Sequence, residues 1–524
     1  MLICWTGLIL LTGPIPTVVC VVLPVLIIRQ MAVCQGGDAI SVQSHVSLFR
    51  RPRAVSEALK NLDNWTGPGR PIRRPLGTSG QTKWLDFEDG IFTERHFRLY
   101  GSAIGFTYAL VLAFRFWQGV SVIGPTGKFA CIDFCWIWDS GIFAVSIDPS
   151  RVYDFAAYSA AQNTLVGPNA GGPFFHFIYP PTMLFFTYPL GFMPYLVAFA
   201  VWIVATLLLY QAAIYAIIPR PAALIAAVLP IGVSANALLG QNGFLTAALI
   251  GLSLVFLERR PLLSGILIGL LTYKPHLGVL FPLALVASRN WRTLCSATAS
   301  TVALSVAAAA AFGYQGWPSF IASLFGRNSS LSPDSDVELN LQSIYGLLHW
   351  AGANAWVSWT VHLTVAALVA AMVCALWAKP IPYFLKAAIL CIGSVTVSPY
   401  LLGYDLCILS IAVAFLVRDG MSRGFLPGER IGMIICFVGL FPLATPVAPM
   451  IGAVLFFLAA RRIAAWRRDS FTASRDDPIG RGVSGAGSWN NRYPYLGGKI
   501  VCSALGRNSM LNSKFTLEVP YCYS

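Results

Sequence analysis

The sequence predicts an all-α polytopic membrane protein, a bundle of about twelve transmembrane helices with a large first outer loop. Three observations carry this reading. The 524 residues are 56% hydrophobic and only 11% charged, against roughly 45–50% and about 25% in ordinary soluble domains. Apolar runs close to the length of a bilayer crossing recur along the chain, and Lys and Arg gather at alternate ends of those runs. The mean hydropathy of +0.67 argues against a soluble enzyme.

The crossings are expected at 99–121, 194–217, 221–239, 243–257, 261–273, 276–288, 293–312, 356–377, 385–402, 404–417, 431–444 and 448–460. Arg95 and Arg98, Arg220, Arg259 and Arg260, Arg289 and Arg292, Lys379 and Lys386, Arg418, Arg423 and Arg430, and Arg461 and Arg462 then fall on one side. Basic loops stay in the cytoplasm, so that side is cytoplasmic. The loop 122–193, the turns at 240–243 and 273–276, the loop 313–355 and the stretch 398–404 fall on the other. The segments flanking Lys274 are too short at ~1.5 Å per residue to span ~30 Å comfortably, which predicts a broken or re-entrant pair.

Three regions follow. Residues 1–95 comprise an apolar N-terminal segment and a polar, basic linker, without the basic start or cleavage site of a signal peptide, and are compatible with a misassigned start. Residues 96–464 form the membrane domain. Residues 465–524, rich in Gly, Ser, Asn and Arg, are expected to be a disordered cytoplasmic tail.

The net charge of +14 sits mostly in the flanks, so it does not point to nucleic acid. The 12 cysteines show no zinc spacing. Cys295, Cys374, Cys391, Cys407 and Cys436 lie in apolar runs, where a thiol behaves as a small hydrophobe. Cys131 and Cys135 are left unassigned. No Walker A loop, dinucleotide fingerprint, HExxH helix or Gly-x-Ser-x-Gly elbow is present, so nucleotide-driven chemistry has no visible site.

Polar residues at the outer ends of the crossings carry the candidate chemistry. Asp133 lies among aromatic residues in Ile132-Asp133-Phe134-Cys135-Trp136, where excluded water raises basicity. It reads either as a general base or as a solvated carboxylate in an interfacial loop. Lys274 interrupts an apolar stretch before Pro275. With no acidic neighbour in sequence it would seek a phosphate, and the alternative is a lysine snorkelling to the interface. His276 is ambiguous between ligand and satisfied polar group. Gln241 and Asn242 place two amides at a turn, able to bind hydroxyls or simply to form the turn. Tyr404 and Asp405 precede a helix, where Asp405 either binds substrate or favours the helix N-terminus. Arg115 could hold phosphate or snorkel, and the aromatic stretch around Tyr179 suits the outer interface or a lipid tail.

The ordered set Asp133-Phe134, Trp138, Gly141, Tyr153-Asp154, Gln162, Tyr179-Pro180-Pro181, Pro189-Leu190, Pro194-Tyr195 and Trp202 resembles glycosyltransferase family 87. It continues through Gly240-Gln241-Asn242, Arg260-Pro261, Gly265, Gly269, Tyr273-Lys274-Pro275, Leu277-Gly278, Trp291-Arg292, Ser398-Pro399-Tyr400 and Tyr404-Asp405. The resemblance spans roughly 99–464. It implies a GT-C-like membrane fold and an active site facing the periplasm of a bacterial inner membrane. It also implies Asp133 as catalytic base. On the reading of the residues themselves, Lys274, His276, Gln241, Asn242, Tyr179, Tyr404, Asp405 and Arg115 are expected to bind substrate. The expected donor is a polyprenyl-phosphate sugar, with mannose the first guess, and the expected acceptor a glycolipid or glycan hydroxyl. No cofactor is expected and no metal ligand is identified, with any metal requirement left open. His276 departs from the Gln more common at its position, which bears on the sugar or acceptor. A secondary transporter is the rival, but no internal repeat appears and the polar residues collect toward one face rather than the midplane.

Overall fold

The computed structural model describes residues 133–166, 177–325, 341–438 and 446–475, with isolated positions between 99 and 110. Helix dominates them, and none lies in a strand. The first expected crossing, 99–121, falls almost wholly outside the described residues, as do Arg115, Cys131, most of the N-terminal region and the chain after 475.

The outer stretch expected as a loop is folded into helices: α1 (Phe134–Ala144), a 3-10 turn (Pro149–Tyr153), α2 (Phe155–Val166), α3 (Met183–Thr187) and a second 3-10 turn (Tyr188–Phe192). Its aromatic residues explain why. Phe134 packs against Tyr195 and Phe199, and Phe186 against Tyr273, so the rings turn into the bundle rather than along the interface. The Trp138 indole donates to the carbonyl of Met193 at 2.9 Å. The buried Cys135 thiol donates to Asp139 Oδ2 at 3.9 Å.

The bundle proper begins with α4 (Tyr195–Ile217). There follow α5 (Pro221–Ala227), α6 (Ile231–Leu239), α7 (Gly243–Phe256), α8 (Pro261–Leu270), α9 (Pro275–Gly278), α10 (Leu280–Ala287), α11 (Trp291–Phe312) and α12 (Gly316–Phe325). After the undescribed gap come α13 (Ile344–Trp350), α14 (Ala355–Trp377), α15 (Tyr383–Val397), α16 (Cys407–Arg423), α17 (Glu429–Val438) and α18 (Ala448–Arg475). Pro opens α5, α8 and α9, where its fixed φ suits the first turn and its missing N–H costs nothing. The Asn354 side chain accepts from the Val357 amide and caps α14.

Among the described residues, α4, α11, α14 and the stretch Ala448–Phe471 of α18 are long and apolar enough to cross a membrane. Five shorter apolar segments accompany them, including Gly243–Phe256 and Tyr383–Val397. The long helices show lipid what soluble helices hide: Val204, Leu208, Val306, Leu363 and Leu368 are all more than half exposed. The interior belongs to α7, α15 and α16, whose side chains are mostly buried. Along the seam between α8 and α11, a Cβ on Gly265 or Gly269 would stand 2.5 Å from the Cβ of Ser296 or Ser300. Such a small-xxx-small stripe lets two membrane helices approach closely.

Of three boundaries that bear on the expectations, two differ and one agrees. The segment 221–239 is two helices, because Pro230 precludes continuous α geometry after Val228. The segments around Lys274 are broken, as their length predicted: a 3-10 turn (Leu271–Tyr273) leads to Lys274 at φ −141°, ψ 64°, and Pro275 restarts the helix. Finally, α18 runs on to Arg475, beyond the boundary expected at 464.

The basic residues expected on the cytoplasmic side are not all free charges. Arg462 is fully buried, with Nε 2.5 Å from Asp419 Oδ2 and Nη1 2.6 Å from Glu429 Oε2, while Arg423 also pairs with Asp419. This cluster ties α16, α17 and α18 together. Arg423 and Arg462 were expected as cytoplasmic loop charges, but each sits beside a buried carboxylate, so the orientation rests on their neighbours.

Candidate functional site

The residues singled out in the sequence converge where the α6–α7 turn, the break before α9, the stretch between α15 and α16, and the start of α1 meet. Gly240 makes this possible. It ends α6 at φ +71°, and a Cβ there would stand 2.4 Å from that of Phe134. Only glycine fits both the left-handed backbone and the approach of α1. The turn therefore delivers Gln241 and Asn242 inward, both fully buried.

Asp133 occupies the N-cap position of α1 but makes no side-chain bond to the helix. Its carboxylate accepts from Gln241 Nε2 at 2.9 Å instead. It is partly buried, and desolvation pushes its carboxyl up to about 6, against the opposing effect of the Gln241 bond. It is thus ionised near neutral pH yet more basic than a solvated aspartate.

Asn242 faces the other way. Its Nδ2 donates to the Tyr179 hydroxyl at 2.7 Å, and its Oδ1 accepts from Lys274 Nζ at 2.8 Å. Lys274 also donates to Asp405 Oδ1 at 2.5 Å, and its ammonium lies 4.9 Å from the centre of the Tyr404 ring. Asp405 in turn accepts from the Leu402 amide at 3.4 Å. Tyr179 stacks on Trp136 with ring centres 5.6 Å apart, and its carbonyl accepts from the Tyr153 hydroxyl at 2.7 Å.

One expectation changes here. Lys274 was read as a buried lysine with no acidic neighbour, but folding brings Asp405 onto it from 131 residues away. The pair is almost wholly shielded from solvent, so the two charges compensate one another. The amide of Asn242 is likewise bonded at both ends. Lys274, Asp405, Asn242 and Tyr179 thus form a rigid, satisfied frame, and Asp133 with Gln241 stands at its edge.

His276 reaches the same region through Tyr400, whose ring it meets edge-on at 6.2 Å. Its Nε2 is buried with no hydrogen-bond partner among the described residues. Tyr400 is the residue that sequence reasoning missed. It is partly buried, and burial together with the charges of Asp405 and Asp133 pushes its phenol up, so it stays a neutral hydroxyl between two carboxylates. Its signal was its place in Ser398-Pro399-Tyr400, ahead of Tyr404-Asp405. Arg115 lies outside the described residues. Among those described, no three His, Cys, Asp or Glu side chains gather as a metal site.

Chemically, this is a partly exposed base beside a dry, preorganised set of hydroxyl and amide groups. The segment that builds most of it matches a known family: residues 177–399 fit the model for glycosyltransferase family 87. No curated protein and no solved structure matches the chain.

Proposed function

We propose that this chain, a membrane glycosyltransferase by the family its central segment matches, moves a hexose, mannose first, from a polyprenyl-phosphate donor to a hydroxyl of a glycolipid or glycan. The reaction takes place at the periplasmic face of a bacterial inner membrane. The acceptor oxygen attacks the anomeric carbon as its proton passes to Asp133. The bond from that carbon to the phosphate oxygen breaks, and the electron pair leaves with the polyprenyl phosphate. One displacement inverts the anomeric centre.

The observation that carries this reading is the contrast between Asp133 and its surroundings. Lys274, Asp405 and Asn242 are committed to one another. Asp133 is partly exposed, bonded to a neutral amide, and raised toward the working pH, which is what a general base requires. Tyr400 and His276 would meet sugar hydroxyls or phosphate oxygens. Lys274 can reach a donor phosphate only by giving up part of its bond to Asp405, so its first role is to hold the frame. The energy for transfer comes from the activated lipid-phosphate donor.

The test is transfer of radiolabel from synthetic polyprenyl-phosphate mannose into membrane lipids, comparing wild type with Asp133→Asn at matched expression. Transfer that the variant loses by roughly a hundredfold or more supports Asp133 as base. Equal transfer by both refutes that role. No transfer by either, with mannose and then with other polyprenyl-phosphate hexoses, refutes the donor class and returns weight to a transporter.

A further inference from the structure

Gln241 is bonded at one end only. Its Nε2 donates to Asp133, while its Oε1 is buried with no hydrogen-bond partner among the described residues. The backbone gives it no freedom to drift, because Gly240 pins the turn under Phe134 and the Gln241 amide N–H donates to the Asn236 carbonyl at 3.1 Å. The neighbouring Asn242 amide, by contrast, is bonded at both ends. An amide bonded at both ends is locked, whereas one with an idle carbonyl can turn about its last torsion without disrupting a second contact.

We propose that Gln241 is the positioning residue for Asp133 in both of its protonation states, turning its amide to follow the proton. With Asp133 ionised, Nε2–H donates to Oδ2. When Asp133 has taken the acceptor proton, the amide turns and its carbonyl accepts the new O–H of the acid. The donor and acceptor exchange places, and no charge is created or moved beyond the proton already transferred. Gln241 therefore acts through Asp133 and is not a ligand for sugar hydroxyls in the first instance. The inference rests on Asp133 being the base.

The other ionisable groups near the pair are Tyr400, Tyr404 and Asp405 from the stretch after α15, and Lys274 from the break before α9. Lys274 and Asp405 offset each other, and no acidic residue stands in the first turn of α1. Among the described residues the Gln241 amide is the group that hydrogen-bonds Asp133, while the Tyr400 and Tyr404 phenols lie near it.

The experiment needs no substrate. The full chain is purified into lipid nanodiscs, and the carboxylic-acid C=O stretch present in wild type and absent in Asp133→Asn is followed by infrared difference spectroscopy across pH. Wild type should titrate with a midpoint at about 6. Gln241→Met removes the bond to the carboxylate and the weaker neutral bond to the acid while keeping length, and should raise the midpoint by about one pH unit, the difference between the two. Gln241→Glu keeps the volume, so it serves if the Met variant does not fold, and should raise the midpoint further by placing a second carboxylate beside the first. The C=O band should also move to higher frequency in Gln241→Met, because the acid has lost the carbonyl it donates to. Unmoved midpoints in both variants, an unshifted band, or no Asp133 titration in wild type would each overturn the proposal. Transfer retained by Asp133→Asn would instead sink the base assignment and leave this titration intact, so the two failures are separable.

Discussion

Separating Lys274 from Asp405 gives the sharpest energetic prediction. Lys274→Met removes the ammonium and leaves Asp405 buried with only the long 3.4 Å bond from Leu402, and Asn242 Oδ1 with no donor. Breaking a buried pair by removing one partner costs about 3–5 kcal/mol, because the remaining charge is uncompensated. Asp405→Leu orphans the lysine and should cost a similar amount. In Lys274→Met/Asp405→Leu both charges are gone, and what remains is the unsatisfied Asn242 carbonyl, about 1–3 kcal/mol. The double variant should therefore be no less stable than either single one, with a coupling energy of about 2 kcal/mol or more. Equilibrium unfolding in mixed micelles, followed by tryptophan fluorescence, reads all four corners of the cycle. Additive single effects, or a Lys274→Met cost below about 1 kcal/mol, would refute the pair as the brace of the site. Activity then separates the roles of the lysine: a stable double variant that still transfers sugar shows that Lys274 holds the frame, and one that folds but is inactive shows that its charge also serves the phosphate.

Further predictions concern the base, the turn and the cytoplasmic cluster. Because Asp133 must be ionised to accept a proton and its carboxyl is raised to about 6, kcat/KM should rise through pH 6 and level off above it, which a pH profile of label transfer will show. Gly240→Ala forces a Cβ onto Phe134 in a left-handed backbone. It should cost about 2–4 kcal/mol by the same unfolding assay and lower transfer by displacing Gln241. Arg462→Met strands Asp419 and Glu429, and should destabilise the chain by about 3–5 kcal/mol while leaving the pH midpoint of transfer where it is in wild type.

How far these features were legible in the sequence follows from their range along the chain. Short-range signals read correctly: the break at Tyr273-Lys274-Pro275 followed from length and a proline, and Gly240 before two amides marked a turn. The apolar runs gave the helical membrane class directly, because that signal is summed over many residues. Where it was interrupted by a single residue, as at Pro230, one expected crossing became two helices. The outer stretch was harder. Its helices are short, and its aromatic residues are buried by partners far along the chain, which periodicity alone does not reveal.

The partnership of Lys274 was illegible for a deeper reason. A lysine in an apolar run states only that a charge needs compensation, and the sequence does not name which of several carboxylates supplies it. Asp133, Asp139, Asp148, Asp154 and Asp405 were all available in outer segments. The fold resolves the choice by packing the stretch after α15 against the break before α9, and in doing so leaves Asp133 as the carboxylate held by an amide rather than a cation. The same ambiguity attends Arg462, which sequence reads as a cytoplasmic signal and the fold buries between two acids. Charge order along the chain thus reveals which side of the membrane a residue is near, but the division between structural and reactive charges is made only in three dimensions. Asp405 is held by Lys274 in a buried pair, whereas Asp133 is held by a single neutral amide. That asymmetry, rather than position in the sequence, is what favours Asp133 over Asp405 as the proposed base.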